Sequence, residues 1–270
     1  MAFKNIMDLH VHTDNSFDGN HSIMYMCEKA CEKNVKAVAF TDHVEADCYY
    51  EEHYDKVAIQ SFFDTMKARC AFDGKLIVCS GIELGEACFS PETADKIISE
   101  RKYDFVAASI HNLRGEQDFC FFDYAEYDVE GILDEYFDEE LNLVQWGRFD
   151  SLAHLTYPLR YIMGEQKIPV DMNRYKGKID EILKTLAEKD KALEINTSGL
   201  FQKLKSTMPG EDVIKRFREL GGKLVTIGSD SHYANRIGNG IQRGMELAKR
   251  CGFDSVALYK SREPIEVPIE

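Results

Sequence analysis

The segment Ile6-Met7-Asp8-Leu9-His10-Val11-His12 is a short apolar run that ends in two histidines separated by one residue. On a β-strand, residues two positions apart point to the same face. The run therefore predicts a strand with two imidazoles side by side near its carboxyl end. Two ordinary half-buried histidines would give the same pattern, although histidine is also the commonest metal ligand in proteins. The rest of the chain decides between these interpretations.

This apolar run is the first of seven, and each is followed by a segment with the spacing of a helix. The predicted strands are residues 6–11, 37–41, 76–82, 105–110, 151–155, 192–195 and 224–227. The predicted helices are residues 22–34, 55–72, 91–101, 128–146, 175–189, 211–220 and 242–251. Alternating strands and helices indicate the α/β class, and short apolar strands are typical of a parallel sheet buried on both faces. A closed barrel and an open doubly wound sheet both fit this pattern. No G-x-G-x-x-G motif follows the first strand, which disfavours a dinucleotide-binding fold.

Histidines and carboxylates collect where the predicted strands end. Six of the eight histidines lie at or just after the carboxyl end of a strand, namely His10, His12, His43, His111, His154 and His232. Glu83 ends the third strand in the same way. Active sites of β/α barrels form at this end of the strands, so side chains spread along the chain are expected to converge in space.

Each of these residues also has an ordinary explanation. Asp42 or Asp230 could cap a helix, Glu83 could form a salt bridge, and an isolated His154 would usually be a hydrogen-bonded core residue. Together, however, buried histidines and carboxylates without a cation would leave several polar groups unpaired. The sequence therefore predicts a metal site. Imidazole and carboxylate ligands without thiolate suit zinc, manganese or iron, and the eight cysteines form no C-x-x-C pair.

The order H-x-H, Asp-His, Glu, His, His, Asp-x-His resembles the polymerase and histidinol phosphatase (PHP) family, in particular its histidinol-phosphate phosphatase branch. The resemblance covers essentially the whole chain. It implies a distorted seven-stranded (β/α)7 TIM-like barrel that holds three divalent metal ions at the carboxyl ends of its strands. It also implies hydrolysis of a phosphate monoester, with L-histidinol phosphate as the expected substrate.

The resemblance also implies a role for individual residues. The ligands would be His10, His12, Glu83 and Asp230 for the first metal, Glu83, His111 and His154 for the second, and Asp18, His43 and His232 for the third. Asp18 lies in Ser16-Phe17-Asp18-Gly19, which would otherwise be interpreted as a turn. Asp8 and Asp42 are expected to orient imidazoles, as carboxylates behind metal-bound histidines commonly do.

The resemblance also extends to a phosphate-binding residue, since Arg160 is expected to bind phosphate oxygens in the bidentate manner of a guanidinium. From the ligand set itself, Asp230 or His232, or a water held by them, is expected to supply the proton that the leaving alkoxide needs. The further substrate contacts would be Asn196 and Ser198, and Lys203 or Lys205 would replace a positive charge that the family has nearby. One position departs from the family, because related phosphatases tend to carry an arginine where this chain has Phe201. That difference bears on the choice of substrate more than on phosphatase activity.

Composition limits the partners and the location. The chain has 270 residues, 44% of them hydrophobic, and a formal net charge of −14. A chain this acidic lacks the basic footprint of a nucleic-acid-binding protein, and it has no apolar run long enough to span a membrane. Its amino terminus lacks the features of a signal peptide, so we expect a single cytoplasmic domain over residues 1–270 that acts on a small phosphate ester.

Three alternatives stay open. The first is a phosphoesterase that acts on a nucleotide or a sugar phosphate. The second is a metal-dependent amidohydrolase, which would commonly bridge its metals with a modified lysine; no lysine ends a predicted strand here, and Glu83 would take that place. The third is a non-catalytic metal-binding module, which a complete ligand set disfavours.

Overall fold

The computed structural model of the chain describes residues 3–270. Met1 and Ala2, which were predicted to belong to the single domain, lie outside the described residues. Seven parallel strands form the central sheet of this described part, in the order β1-β2-β4-β5-β6-β7-β8. They are β1 (Met7–Val11), β2 (Ala37–Phe40), β4 (Ile77–Gly85), β5 (Phe105–Ser109), β6 (Ser151–Leu152), β7 (Ala192–Asn196) and β8 (Val225–Gly228). An additional short strand, β3 (His43–Glu45), pairs with the carboxyl half of β4.

The sheet curves until its first and last strands meet. Residues of the loop that follows β8 bind β1, with the Asp230 N–H donating to the His10 carbonyl at 2.8 Å and the His12 N–H to the Ser231 carbonyl at 2.9 Å. The backbone bridge that joins β1 to this loop is between Val11 and Ser231. The result is a nearly closed barrel, which confirms the predicted barrel and excludes the open sheet.

Helices surround the barrel, and both ends of each predicted helix lie within two residues of the ends of an observed helix. They are α1 (Ile23–Glu32), α2 (Tyr54–Ala71), α3 (Pro91–Glu100), α4 (Val129–Trp146), α5 (Lys176–Glu188), α6 (Glu211–Glu219) and α7 (Ile241–Arg250). Helix α1 begins where the Ser22 hydroxyl accepts a hydrogen bond from the Tyr25 N–H. Helix α4 ends at Gly147, whose φ of 67° suits a residue without a side chain.

Apolar residues of the strands and of the inner helix faces form the core. The strands β1, β2, β5 and β7 are buried at every position, as expected for parallel strands covered on both faces. In the described part of the chain, no helix is long and apolar enough to cross a membrane.

An antiparallel hairpin of β9 (Ser255–Lys260) and β10 (Glu263–Pro268) covers the opposite end of the barrel from the predicted ligands. Its turn binds residues that precede central strands: the Ser261 N–H donates to Asp104 at 3.0 Å, and Arg262 forms an ion pair with Asp150. The hairpin was not predicted from the sequence.

Candidate metal centre

The nine predicted ligands all lie at the carboxyl end of the barrel. They come from β1 (His10) and the loop after it (His12, Asp18), from β3 (His43), from β4 (Glu83), and from the loops after β5 (His111), β6 (His154) and β8 (Asp230, His232). Six of them are buried, whereas the Asp18 side chain is 38% exposed and that of His232 is 19% exposed. The cluster is therefore a buried group of side chains with one open side.

Glu83 lies at the centre of the cluster. Its Oε1 atom lies 3.2 Å from His111 Nε2 and 2.7 Å from His154 Nε2. Its Oε2 atom faces three further imidazole nitrogens, at 3.2 Å (His10 Nε2), 3.4 Å (His12 Nε2) and 3.1 Å (His43 Nδ1). The two oxygens thus face two separate groups of histidines, which is the geometry of a carboxylate that can bridge two cations.

The two histidines of the opening segment point the same way, as their spacing predicts. Their Nε2 atoms are 3.0 Å apart, and Asp230 Oδ1 lies 3.4 Å from His12 Nε2 and 3.8 Å from His10 Nε2. Asp230 reaches this place with a positive φ of 52°, a conformation that aspartate tolerates better than most residues.

Asp18, His43 and His232 meet at the open side. Asp18 Oδ2 lies 2.8 Å from His232 Nε2, and Asp18 Oδ1 lies 3.7 Å from His43 Nε2. The His12 ring stacks between the other two imidazoles, with centroid separations of 4.3 Å to His43 and 4.2 Å to His232. The three groups of ligands are therefore contiguous.

The residues of this cluster fit divalent cations. Within residues 3–270, the Nδ1 atoms of His43 and His154 are buried without a hydrogen-bond partner, even though His43 Nδ1 lies close to Glu83. Burial and the neighbouring His232 and His43 lower the pKa of His12 to about 3, which keeps it neutral. Against the effect of burial, the surrounding carboxylates raise the pKa of His10 and His111, and a bound cation would take the place of their protons. Neutral imidazole and ionised carboxylate are the forms that bind metal. Within the described residues, three combinations of the predicted ligands are close enough together to hold an ion, and a fourth joins His111 to Glu45 and Glu86.

Asp42 and Asp8 lie behind the cluster, but neither contacts an imidazole nitrogen directly. Asp42 accepts a hydrogen bond from the Ser16 hydroxyl at 2.8 Å, and that hydroxyl lies 3.3 Å from His12 Nδ1. Asp8 instead accepts from the backbone N–H groups of Ser229 (2.8 Å) and Gly238 (2.7 Å). Burial raises the pKa of Asp8 to about 6. Both carboxylates therefore hold the loops that carry the cluster, and only Asp42 reaches an imidazole, through Ser16.

Two buried carboxylates that sequence reasoning missed do contact imidazoles. Glu194, in β7, lies 2.7 Å from His10 Nδ1 and accepts the backbone N–H of His154 at 2.8 Å. Glu45, in β3, lies 3.3 Å from His111 Nδ1. For Glu194 the available signal was an acidic residue inside an apolar strand, because a buried charge needs a partner. Glu45 lies in a strand of three residues, which gives no such signal.

A cavity of about 390 Å³ opens on the exposed side of the cluster. Its lining includes Asp18, Asp230, His232, Arg160, Ser198 and Phe201. Of the predicted substrate contacts, Arg160 and Ser198 line this cavity, with Ser198 Oγ 3.3 Å from Asp230 Oδ2.

The other predicted substrate contacts do not line the cavity. Asn196 is fully buried, and its amide lies 3.5 Å from Asp230 Oδ2. Lys203 pairs with Glu165 at 2.5 Å.

Comparison with known proteins gives consistent results. The PHP domain model matches residues 8–198. The chain is 30% identical over 260 residues to a histidinol-phosphatase of Lactococcus lactis, covering 94% of both chains. It is 29% identical to a probable histidinol-phosphatase of Thermotoga maritima, covering 94% of this chain and 95% of that protein.

A solved structure of the Lactococcus lactis histidinol phosphate phosphatase, in complex with zinc, L-histidinol and phosphate, is similar in fold. The TM-score is 0.80 at 26% sequence identity, and the match covers 97% of this chain and 99% of that one.

Proposed function

This chain belongs to the PHP domain family, and on that basis we propose that it is a metal-dependent phosphatase that hydrolyses L-histidinol phosphate to L-histidinol and phosphate, a step of histidine biosynthesis. The observation that carries the proposal is the buried Glu83 carboxylate, which faces five imidazoles beside an open cavity. The similarity to histidinol-phosphatases over 94% of the chain supports the choice of substrate.

The site would hold three divalent ions, of zinc, manganese or iron. The ligand sets are His10, His12, Glu83 and Asp230; Glu83, His111 and His154; and Asp18, His43 and His232. The separation of His10 and His12, which face Oε2 of Glu83, from His111 and His154, which face Oε1, supports the first two sets. His43 also faces Oε2 through Nδ1, but its Nε2 atom is directed at Asp18 of the third set. The short contact between Asp18 and His232 supports the third. Bound cations of this kind would supply Lewis acidity towards water and phosphate oxygens.

Arg160 would bind the phosphate group of the substrate. Its Nη1 atom lies 3.8 Å from Asp230 Oδ2, and its guanidinium lies against the rings of Tyr157 and Tyr161 at 5.9 Å and 5.6 Å. These contacts hold the planar guanidinium at the cavity wall, where it can donate two parallel hydrogen bonds to phosphate oxygens. Such fixed donors offset the charge that develops during phosphoryl transfer.

Asp230 and His232 would deliver the proton that the leaving alkoxide needs through a water that they hold. Against the effect of burial, the neighbouring histidines hold the pKa of the Asp230 carboxyl well below its usual range, so the carboxylate itself is ionised. Both residues line the cavity, and Ser198 Oγ, 3.3 Å from Asp230 Oδ2, holds that carboxylate in position. His232 Nδ1 lies 3.1 Å from the backbone carbonyl of Asp230, which favours the tautomer with its proton on Nδ1.

The proposal is tested by measuring metal content and phosphate release on the same sample. We expect phosphate release from L-histidinol phosphate to exceed that from a panel of nucleotide and sugar phosphates. A chelator should abolish the activity, and separate reloading with zinc, manganese and iron should identify the metal that restores it. If the fully metallated protein prefers another ester, the proposed substrate is wrong and the proposed chemistry is retained.

A matched pair of variants tests the role of Glu83. Glu83→Gln should lose bound metal and lower turnover more than about 100-fold, since even residues behind metal ligands contribute 10- to 100-fold. Glu188→Gln, at the exposed end of α5, is the control and should match the parent. Full metal content without phosphate release from any ester would contradict the proposal and favour an amidohydrolase or a binding module.

A further inference from the structure

We infer that Arg236 is a second phosphate-binding residue of the cavity, which acts together with Arg160 on the phosphate group of the substrate. This inference rests on the proposed function, because it concerns the same cavity. Arg236 lies in a short 3₁₀ turn (Ala234–Arg236) after β8, four residues beyond the predicted ligand His232. No motif of the sequence pointed to it.

Arg236 lines the same cavity as the residues of the cluster. The cavity of about 390 Å³ is bounded by Arg236 as well as by Arg160, Asp18, Asp230 and His232. The Arg236 guanidinium lies 5.2 Å from the ring centroid of Tyr233, which also lines the cavity. A group of the substrate that contacts Asp230 and His232 is therefore within the space that Arg236 bounds.

The backbone around Arg236 is held firmly. The Lys33 ammonium donates to the carbonyl oxygens of Asn235 (2.6 Å) and Ile237 (3.0 Å). Asp8 accepts the Gly238 N–H at 2.7 Å, and Ile237 is fully buried. The side chain of Arg236 is exposed, whereas its backbone is fixed by these contacts. Binding a ligand therefore has to order only the side chain, which reduces the entropy lost on binding.

The charge of Arg236 is available to a ligand. Across residues 3–270, Arg236 takes part in no ion pair, whereas Arg160 already faces Asp230 at 3.8 Å and Lys203 is paired with Glu165 at 2.5 Å. In a chain with a net charge of −14, a phosphate dianion needs local positive charge to approach the site. Arg236 supplies such a charge at the cavity.

The chemistry of the substrate selects the phosphate as the group that Arg236 binds. L-Histidinol phosphate carries an ammonium group on its alcohol portion, and a guanidinium would repel that end of the molecule. Phosphate oxygens, in contrast, match the planar donors of arginine. Two arginines from different loops would contact phosphate oxygens that the cations leave free.

The test uses the metal-loaded protein with inorganic phosphate as the probe. Arg236→Ala should raise both KM for L-histidinol phosphate and the inhibition constant of phosphate about tenfold or more. It should change kcat less than about threefold, because the contact is present in the ground state and the transition state alike. Arg236→Lys should fall between alanine and the parent, since lysine keeps the charge without the fork. Arg243→Ala is the matched control, because Arg243 is exposed on α7 and lines a different cavity.

A rescue variant separates charge from shape. Phe201 is 54% exposed and lines the same cavity, so Phe201→Arg in the Arg236→Ala background should restore phosphate affinity. The inference is overturned if Arg236→Ala binds phosphate as tightly as the parent, or if the double variant binds no better than Arg236→Ala. Calorimetric titration with inorganic phosphate measures phosphate binding even if the parent does not hydrolyse L-histidinol phosphate. Absence of that hydrolysis would refute the proposed function alone and would leave the role of Arg236 to be decided by the titration.

Discussion

Replacing Glu194 with glutamine should weaken metal binding at His10 without altering the shape of the site. Three hydrogen-bond donors surround this carboxylate: His10 Nδ1 at 2.7 Å, the backbone N–H of His154 at 2.8 Å and the Asn196 amide at 3.2 Å. A glutamine offers one oxygen and one NH2 group, so in either orientation its NH2 group faces a donor. If it faces His10, the imidazole is forced to accept at Nδ1 and to carry its proton on Nε2, the atom that faces Glu83.

The size of the effect follows from the contact that is lost. A buried hydrogen bond to a charged group contributes about 1.5–3 kcal/mol, which corresponds to roughly a 10- to 100-fold change in a dissociation constant. Because the Nε2 lone pair of His10 is needed for a cation, most of this cost should appear in metal affinity. Less should appear in the stability of the metal-free fold, where the side chain keeps its volume.

The assay is competition for zinc with a chelator of known affinity, together with the zinc-to-protein ratio and the melting temperature of the chelated protein. Glu194→Gln should need about 10- to 100-fold more free zinc for half-loading, and Glu188→Gln should need as much as the parent. A Glu194→Gln protein that binds its full zinc with the parent's affinity would refute the assignment of Glu194 as the residue that orients His10.

Two further predictions concern stability. Burial raises the pKa of Glu140 to about 8, whereas the same carboxyl in the unfolded chain releases its proton near pH 4.5. Between these two pH values the folded chain holds a proton that the unfolded chain has lost, so the free energy of unfolding falls as the pH rises from about 4.5 to about 8. In the metal-free protein, the free energy of unfolding of Glu140→Gln should rise relative to that of the parent by a few kcal/mol between about pH 5 and pH 8. Urea titrations that give the same difference between variant and parent at every pH would contradict this. Gly228→Ala should destabilise by more than about 3 kcal/mol, because its Cβ would lie 2.3 Å from that of His10. The control Gly177→Ala, whose Cβ meets nothing within 4 Å in α5, should stabilise by up to about 1 kcal/mol, and equal melting temperatures for the two variants would refute the steric reasoning.

The central strands and helices could be predicted because each has a local signature. An apolar run of four to seven residues followed by helical spacing is sufficient, and β1, predicted at residues 6–11, is observed at Met7–Val11. The hairpin β9–β10 lacks that signature, since β10 is mostly exposed and carries two prolines. The short strand His43–Glu45 was missed because three residues give no periodicity.

The residues of the site differ in how far the sequence could reveal them. His10 and His12 could be paired from their spacing on a single strand. Glu194 could not be assigned to His10, because 184 positions separate them and only the closed barrel brings them together. Asp18 was expected only through the family resemblance, and Arg236 had no signal, because an exposed arginine in a turn is ordinary until its surroundings are known.

The closure between β1 and the loop after β8 has a consequence for the order of folding. Contacts between residues far apart in the sequence carry the largest loop-closure entropy and tend to form late. His10 leaves the ribosome early, whereas Asp230, whose N–H closes the barrel on the His10 carbonyl at 2.8 Å, is synthesised 220 residues later. The first metal site would therefore be incomplete on a nascent chain until β8 and the loop after it are made, and metal insertion would follow their synthesis. Stalled chains that end before β8 should accordingly bind zinc weakly, and pulse-labelled hydrogen exchange should show amides of β1 becoming protected among the last.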